Sequence, residues 1–373
     1  MSKTILILGG GTGSIMTAGE LRKKLSGKTV SGEVKIILFE REHKNVFAPS
    51  LLWLMVGKRE PQQVFRKTSS IKRKGMEVVQ NNIEKINPAE KSITVNGKIY
   101  NGDYIVVSLG ADYTTEHNLD KSGFDFFTLE GTTAFYGKLK KFSGGKISVL
   151  IPSLPFKCPA APYEAAMLIE SFIRKIGIRD KTEISLYTPE TLPMSVAGKE
   201  LGNAVKMMLE QKGIRYFPEH QLISASENTL TFSNRKSVTM ETGIDLLAYT
   251  PKHLCPEVVR QSALAGKSNW IEVNRNTMET SFPNVYAIGD NTFIPLEVGK
   301  PLPKAGVFAH YQAAAVAHNI AEKIKRGNNL KTFDGEGQCF LEMGDGKAGY
   351  AGGNFYGSPL PIVKMKKSGF FWH

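Results

Sequence analysis

Thr4-Ile5-Leu6-Ile7-Leu8-Gly9-Gly10-Gly11-Thr12-Gly13-Ser14 joins a strand-like run of Thr4 and four consecutive apolar residues to a glycine turn and to a helix-like stretch that reaches about Leu25. An unbroken apolar run, rather than an alternating one, is expected of a parallel strand covered on both faces. Gly9 allows the tight turn. Gly11 lets the backbone approach a pyrophosphate, which then rests on the free N–H groups and dipole of the helix N-terminus. Thr12 and Gly13 complete the turn. Ser14 stands where a third glycine is usual, so helix–strand packing must accommodate a hydroxyl. A second apolar strand, Val34 to Phe39, leads to Glu40, placed to hydrogen-bond a ribose hydroxyl, with Arg41 beside it. Glu40 follows Ser14 by 26 positions, later than the usual ~20, and a turn from Ser26 to Gly32 absorbs the surplus.

Working outward, Val79 and the strand Tyr104 to Leu109, with Ser108 near its end and Gly110 after it, extend the same site. A second βα unit starts at Lys146: strand Ile147 to Ile151, a helix from about Pro159 to Ile176, strand Glu183 to Tyr187 and helix Lys199 to Lys212. The chain then returns to the first pattern with strand Val285 to Ile288 and a long alanine-rich helix from Gly306 to about Lys325. The expected class is α/β, with two Rossmann-like doubly wound dinucleotide-binding domains and a short C-terminal segment. The expected boundaries are 1–110 with 255–330 for the first domain, 111–254 for the second, and 331–373 for the C-terminal segment.

Composition narrows the function classes. The net charge of +13 over 373 residues favours anionic partners, either a lipid surface or small anions. The lysines form no single long run and no nucleic-acid motif is present, so nucleic acid is not expected. Three cysteines, Cys158, Cys255 and Cys339, are too few for a secreted disulfide framework and lack metal-ligand spacing, so no metal is expected. The first strand begins almost at the N-terminus, and no apolar run has the length of a membrane span. The expectation is a cytoplasmic protein, soluble or peripheral to the membrane.

The second βα turn is of another kind. No glycine lies between Lys146 and Gly177, and strand Ile147 to Ile151 runs into Pro152-Ser153-Leu154-Pro155-Phe156-Lys157-Cys158-Pro159-Ala160-Ala161-Pro162-Tyr163-Glu164. Prolines lack N–H donors and fix φ near −65°, so this turn does not cradle a pyrophosphate. It offers instead a cysteine before a helix that Pro159 or Pro162 opens at its first position. A thiol at a helix N-terminus beside Lys157 is expected to lean towards thiolate and to be reactive. Glu164 in the first turn is a candidate proton acceptor.

Thr280-Ser281-Phe282-Pro283-Asn284-Val285-Tyr286-Ala287-Ile288-Gly289-Asp290 resembles the distal FAD fingerprint of the two-dinucleotide-domain, disulfide-reductase flavoproteins. That resemblance implies Asp290 on the ribitol, with Gly289 before it, and FAD as cofactor. Lys304 and the helix N-terminus at Gly306 would then stabilise the reduced flavin's charge.

More specifically, the chain resembles the sulfide:quinone oxidoreductases and the related flavoprotein subunit of flavocytochrome c sulfide dehydrogenase. Phe47-Ala48-Pro49-Ser50-Leu51-Leu52-Trp53 looks like the family segment lining the flavin, and so implicates Pro49 and Ser50. Phe156 to Glu164 matches the segment of the first redox cysteine, and Gly337-Gln338-Cys339-Phe340-Leu341-Glu342-Met343-Gly344 that of the second. The resemblance implies a Cys158–Cys339 redox pair that takes electrons from sulfide and passes them through FAD to a quinone. His253, in Pro251-Lys252-His253-Leu254-Cys255-Pro256, resembles a family histidine suited to proton handling. A third family cysteine is missing between Ala111 and Gly145, and Cys255 reads as structural. The C-terminus ends early, at Phe370-Phe371-Trp372-His373. With Phe340 these aromatics are candidates for quinone contact and, beside three lysines, for a peripheral membrane surface. They could equally pack on the body or join two copies as a homo-oligomer. The alternatives are an NADH:quinone oxidoreductase, which the glycine-free second turn argues against, a flavocytochrome c subunit, and a flavin-binding scaffold without turnover.

Overall fold

The structure, a computed structural model, describes residues 2–234 and 238–369. The chain divides into two compact units. The first comprises residues 1–45, 66–112 and 254–337, and the second residues 46–65, 113–253 and 338–373. Two segments depart from the expected partition. Residues 46–65 belong to the second unit, and so does the C-terminal stretch from Gln338, which was expected to stand as a third piece.

The main elements, in chain order, are β1 (Lys3–Leu8), α1 (Thr12–Lys24), β2 (Val34–Glu40), β3 (Met76–Gln80), β4 (Tyr104–Val107) and β5 (Phe124–Asp125). They continue with α2 (Leu129–Leu139), β6 (Gly145–Leu150), α3 (Ala161–Lys175), β7 (Thr182–Tyr187), α4 (Lys199–Gln211) and β8 (Arg215–Phe217). Last come β9 (Leu246–Tyr249), β10 (Val285–Ala287), α5 (Gly306–Lys325), β11 (Glu336–Glu342), β12 (Ala348–Asn354) and β13 (Ile362–Gly369).

In the first unit a five-stranded parallel sheet runs in the order β10-β4-β1-β2-β3. Ile5 to Leu8 are wholly buried, as the apolar run requires of a strand covered on both faces. At roughly 2 kcal/mol for each buried side chain of this size, the four residues alone anchor the sheet centre. The stretch expected to turn between Ser26 and Gly32 is instead a one-turn helix over Ser26–Val30. It continues α1 after a break at Leu25, so the surplus length before Glu40 is taken up as helix.

The second unit repeats the plan. Its parallel sheet has the order β5-β9-β6-β7-β8, and α3 is buried along most of its length, with Tyr163 the largest of its wholly buried side chains. α3 begins at Ala161, so Pro162 occupies the second rather than the first helical position and Pro159 precedes the helix. Beside this sheet the unit adds a three-stranded sheet in the order β11-β12-β13, with β12 and β13 antiparallel. Leu341 and Ala351 of this sheet join the second unit's core, with Cys339 and Met365 packed against it. The expected C-terminal aromatics Phe370, Phe371 and Trp372 lie outside the described residues. Among the described residues no helix is long and apolar enough to cross a membrane.

The glycine turn makes a local prediction. A Cβ on Gly13 would stand 2.5 Å from Ser108 Oγ and 3.0 Å from Ile288, whereas one on Gly11 meets nothing within 4 Å. Gly13→Val should therefore cost roughly 2 kcal/mol by overpacking, and Gly11→Ala less than about 0.5 kcal/mol. Urea unfolding midpoints of the two variants check the difference.

Candidate active site

The first unit gathers its expected cofactor residues at one end of its sheet. Gly9 has φ +106°, and a Cβ there would lie 2.3 Å from the Ser108 carbonyl oxygen, so only glycine fits. The Ser14 hydroxyl is absorbed by donating to the Leu8 carbonyl at 3.3 Å, and it is Gly13 that permits the close approach of α1 to Ser108 and Ile288. α1 has no side-chain cap and no acidic residue in its first turn, and neither has α5. The two N-termini converge: a Cβ on Gly306 would stand 3.7 Å from Thr12 Oγ1. Free N–H groups of two helices at one place suit an anionic ligand. The Glu40 carboxylate lies against Gly10, accepting from the Glu42 amide at 2.8 Å.

Other expected residues have partners of their own. Arg41 pairs with Asp112 and Glu42, each at 3.1 Å. Val79 lies on β3, Gly110 takes φ +74°, and Asp290 is half-buried after Gly289, which has φ +75°. Lys304 is buried, donating to the Asp290 carbonyl at 2.6 Å and the Thr292 carbonyl at 3.0 Å, over the Trp270 ring. Burial lowers its ammonium to about 8. Sequence reasoning passed over three residues here. Asn45 donates to the Gly10 carbonyl. Asn291 accepts from the Leu109 amide at 2.7 Å, and Gln312 accepts from the Gly289 amide at 2.8 Å. Each is a buried or half-buried amide holding the turn, a role that depends on partners far away in sequence.

The second unit brings together what the sequence separates. Cys158, just before α3, and Cys339, on β11, are free thiols, and Cys339 is close enough to raise the pKa of Cys158. Glu164, on the first turn of α3, acts on both. Its Oε1 accepts from the Glu342 amide at 2.8 Å, which seats β11 on the helix. The Glu342 carboxylate accepts in turn from Trp53 Nε1 at 2.9 Å and from the Gly344 amide at 3.1 Å. Trp53 follows Pro49 and Ser50, which lie on a short turn with Pro49 exposed. Trp53 and Glu342 are support residues that no local pattern marks. His253 is buried with Nδ1 2.8 Å from the Pro251 carbonyl, packed edge-on against Tyr113 and Phe127. Cys255 is buried in the first unit, its thiol pushed up to about 12 by burial. Phe340 is exposed on the outer face of β11. Among the described residues no cluster could hold a metal ion.

The thiols do not lean towards thiolate. Although Cys158 is an exposed residue, the packed protein around its sulfur, then Glu164 and Cys339, raise it well above its ordinary value. The Ala161 amide and Lys157 lower it, but by less. Burial and Glu164 likewise push Cys339 up to about 12. The expected helix N-terminus effect is thus present and outweighed. Glu164 itself rises to about 8, first through burial and also through the Glu342 carboxylate, so at neutral pH it is mainly a neutral acid able to give a proton as well as take one.

A clamp of charges fixes the β11–β12 hairpin. Gly344, with φ +75°, lets the turn press on α3: a Cβ there would be 2.7 Å from Ser171 Cβ and 3.1 Å from the Met167 carbonyl oxygen. Asp345 beside it binds Ser171 (2.8 Å), Arg174 (2.6 Å) and Lys212 (3.2 Å). Buried Glu170 shares the same Arg174 and Lys212.

The units define a class: an α/β protein with two Rossmann-like domains, of the FAD/NAD disulfide-reductase fold. No family model matches the chain. It is similar to the mitochondrial sulfide:quinone oxidoreductase of Mus musculus, 25% identical over 98% of this chain and 81% of that protein. It is also 24% identical to the type II NADH:quinone oxidoreductase of Staphylococcus aureus, over 98% of this chain and 93% of that one. The solved sulfide:quinone oxidoreductase of Aquifex aeolicus superposes with a TM-score of 0.88 at 22% identity, covering 100% of this chain and 88% of that one. The likeness read from the cysteine motifs therefore runs the length of the chain.

Two measurements probe the site. Because the folded Glu164 value lies above the unfolded one, ionisation opposes folding increasingly from about pH 4.5 to about pH 8. Glu164→Gln keeps the oxygen that the Glu342 amide needs. Its melting temperature should exceed wild type by a margin that widens across that window and then levels off. Asp345, held below the usual carboxylate range chiefly by Arg174, Ser171 and Lys212 against burial, has the opposite sign. Its support is full above about pH 4 and fades on acidification. Asp345→Asn should speed hydrogen exchange of residues 336–354 at pH 7, and by a smaller factor as the pH falls below about 4.

Proposed function

We propose that this chain is an FAD-dependent sulfide:quinone oxidoreductase, and the observation that carries the reading is the meeting of Cys158, Cys339 and Glu164 at the glycine-free βα turn of the second unit. The first unit's residues fit FAD: a glycine turn open at Gly11, two uncapped helix N-termini and Glu40 beside the turn. There Gly9, Gly11, Thr12, Gly13 and Ser14 would hold the pyrophosphate, Glu40 a ribose, and Asp290 the ribitol. Bound FAD supplies the two-electron relay from the thiol pair to quinone.

The chain's own chemistry starts from the Cys158–Cys339 disulfide. Hydrosulfide attacks one sulfur, forming an S–S bond to it as the Cys–Cys bond breaks. One cysteine becomes a persulfide and the other a thiolate. Glu164, neutral near pH 7, is placed to protonate the leaving thiolate or to receive the proton of the persulfide. In the full cycle sulfide sulfur loses two electrons, quinone gains two electrons and two protons, and the sulfur leaves as sulfane sulfur on a nucleophilic acceptor. His253 is a second proton carrier in this reading.

Quinone is a membrane solute, so the enzyme works at a membrane surface on its cytoplasmic side. Phe340 and Ile362 stand exposed on the C-terminal sheet, with Lys364 and Lys366 also outward, a combination suited to an anionic headgroup boundary. The NADH-dependent reading lacks its binding turn. Near that turn Tyr163, wholly buried, donates to Glu190 at 2.6 Å.

Anaerobic spectroscopy tests the proposal. Sulfide should bleach the bound flavin within the mixing experiment, NADH should not, and a short-chain quinone should restore the colour. Cys158→Ser and Cys339→Ser should each lower turnover by at least about 10³-fold. Bleaching by NADH alone, or full turnover in either serine variant, defeats the reading.

A further inference from the structure

Hydrosulfide is an anion, and the sulfurs it must reach lie beside the carboxyl group of Glu164. Of the nearby cations, Lys58 stands 4.0 Å from the Glu342 carboxylate, and Lys157 adjoins Cys158 itself. Lys157 Nζ lies 4.8 Å from the centre of the Tyr113 ring and 5.9 Å from that of Phe127. Those rings stand edge to face 6.2 Å apart, and His253 packs on both, at 4.9 and 5.2 Å. Phe127 and His253 are buried and Lys157 is half-buried, so the cradle is a fixed part of the unit. Aromatic faces hold an ammonium in position while leaving its charge in place.

The backbone then separates two adjacent residues. Cys158 adopts φ +52°, a left-handed conformation uncommon for a residue with a Cβ. Lys157 stays on its aromatic cradle while Cys158 is turned to an exposed position. The two side chains spring from Cα atoms about 3.8 Å apart, so the ammonium stays near the sulfur, and Lys157 is among the groups that lower the Cys158 thiol.

We propose that Lys157, cradled by Tyr113 and Phe127, is the specificity-determining cation of the thiol site and draws anionic sulfur nucleophiles to Cys158 in preference to neutral thiols. The identity of the natural anion rests on the sulfide reading above. The field at Cys158 does not. Lys157 is a positioning residue here: it neither forms nor breaks a bond.

Alkylation of the reduced holoenzyme tests this directly. Rates of modification of Cys158 by iodoacetate, an anion, and iodoacetamide, its neutral counterpart, are followed by peptide mass mapping at one pH. Their ratio cancels the thiol's own ionisation and reports the local potential. The ratio should fall about fivefold in Lys157→Met, as expected for one partly screened charge nearby. It should persist in Lys157→Arg and fall part of the way in the double variant Tyr113→Leu/Phe127→Leu. It should be unmoved in Lys252→Met, whose ammonium is paired with Glu116. In turnover, Lys157→Met should raise KM for sulfide with kcat largely kept. An unchanged ratio in Lys157→Met overturns the proposal, as does an equal fall in Lys252→Met, and an unchanged ratio in the double variant removes the cradle from it. If sulfide fails to bleach the flavin while the ratios behave as described, the sulfide reading falls and the cation assignment stands.

Discussion

The hydrogen bond from the Glu342 amide to Glu164 is the contact on which the second unit's chemistry depends. It ties β11, which carries Cys339, to the first turn of α3, which follows Cys158. A buried amide must find an acceptor or lose about 1–3 kcal/mol, so the strand and helix are held in one register. The hairpin beyond is fixed by the close approach at Gly344 and by the ion pairs of Asp345 with Arg174 and Lys212. The contact by itself favours the charged carboxylate, and burial outweighs it. A carboxyl that is buried and faces a second carboxylate is kept neutral near pH 7, and in turn it raises both thiols. The resulting site stores protons on three groups rather than presenting a standing thiolate.

The two units show how one topology serves two chemistries. Both place a loop between the first parallel strand and the following helix of a βα unit. In the first unit the loop is glycine, the helix N-terminus is uncapped, and close packing at Gly9 and Gly13 leaves the amides open to an anion. In the second the loop is rich in proline and its cysteine takes a left-handed conformation. Tyr163 and Glu190 occupy each other in the interior. A dinucleotide needs closely approachable backbone donors, and the prolines of this loop remove several of them. A thiol pair needs a rigid neighbour on another element, which β11 supplies.

The parallel strands and the helices they feed were legible because apolar runs and glycine turns are local signals. Gly306 to Lys325 is a helix over the span expected, and β1, β2 and β6 fall within a residue or two of their expected ends. The misreadings share one cause. Ser26 to Val30 has the composition of a turn, yet it packs as a helical continuation. Cys158 was expected to favour thiolate because its near neighbours in sequence, Lys157 and a helix start, both point that way. What decides the matter is the bulk of the surrounding fold, then Glu164 and Cys339, and the burial that dominates is not written in the neighbouring sequence.

By itself the sequence determined the fold class, the glycine turn, the absence of such a turn in the second unit and the cysteines worth watching, since each follows from backbone freedom and hydrophobic period over a few residues. Only the tertiary structure decided that Cys158 and Cys339, 181 positions apart, share one field, that Glu164 is a neutral acid, and that Trp53, Glu342 and Asp345 hold the arrangement in place. Desolvation and the energies of ion pairs and hydrogen bonds depend on distances in space, and no spacing along the chain encodes those.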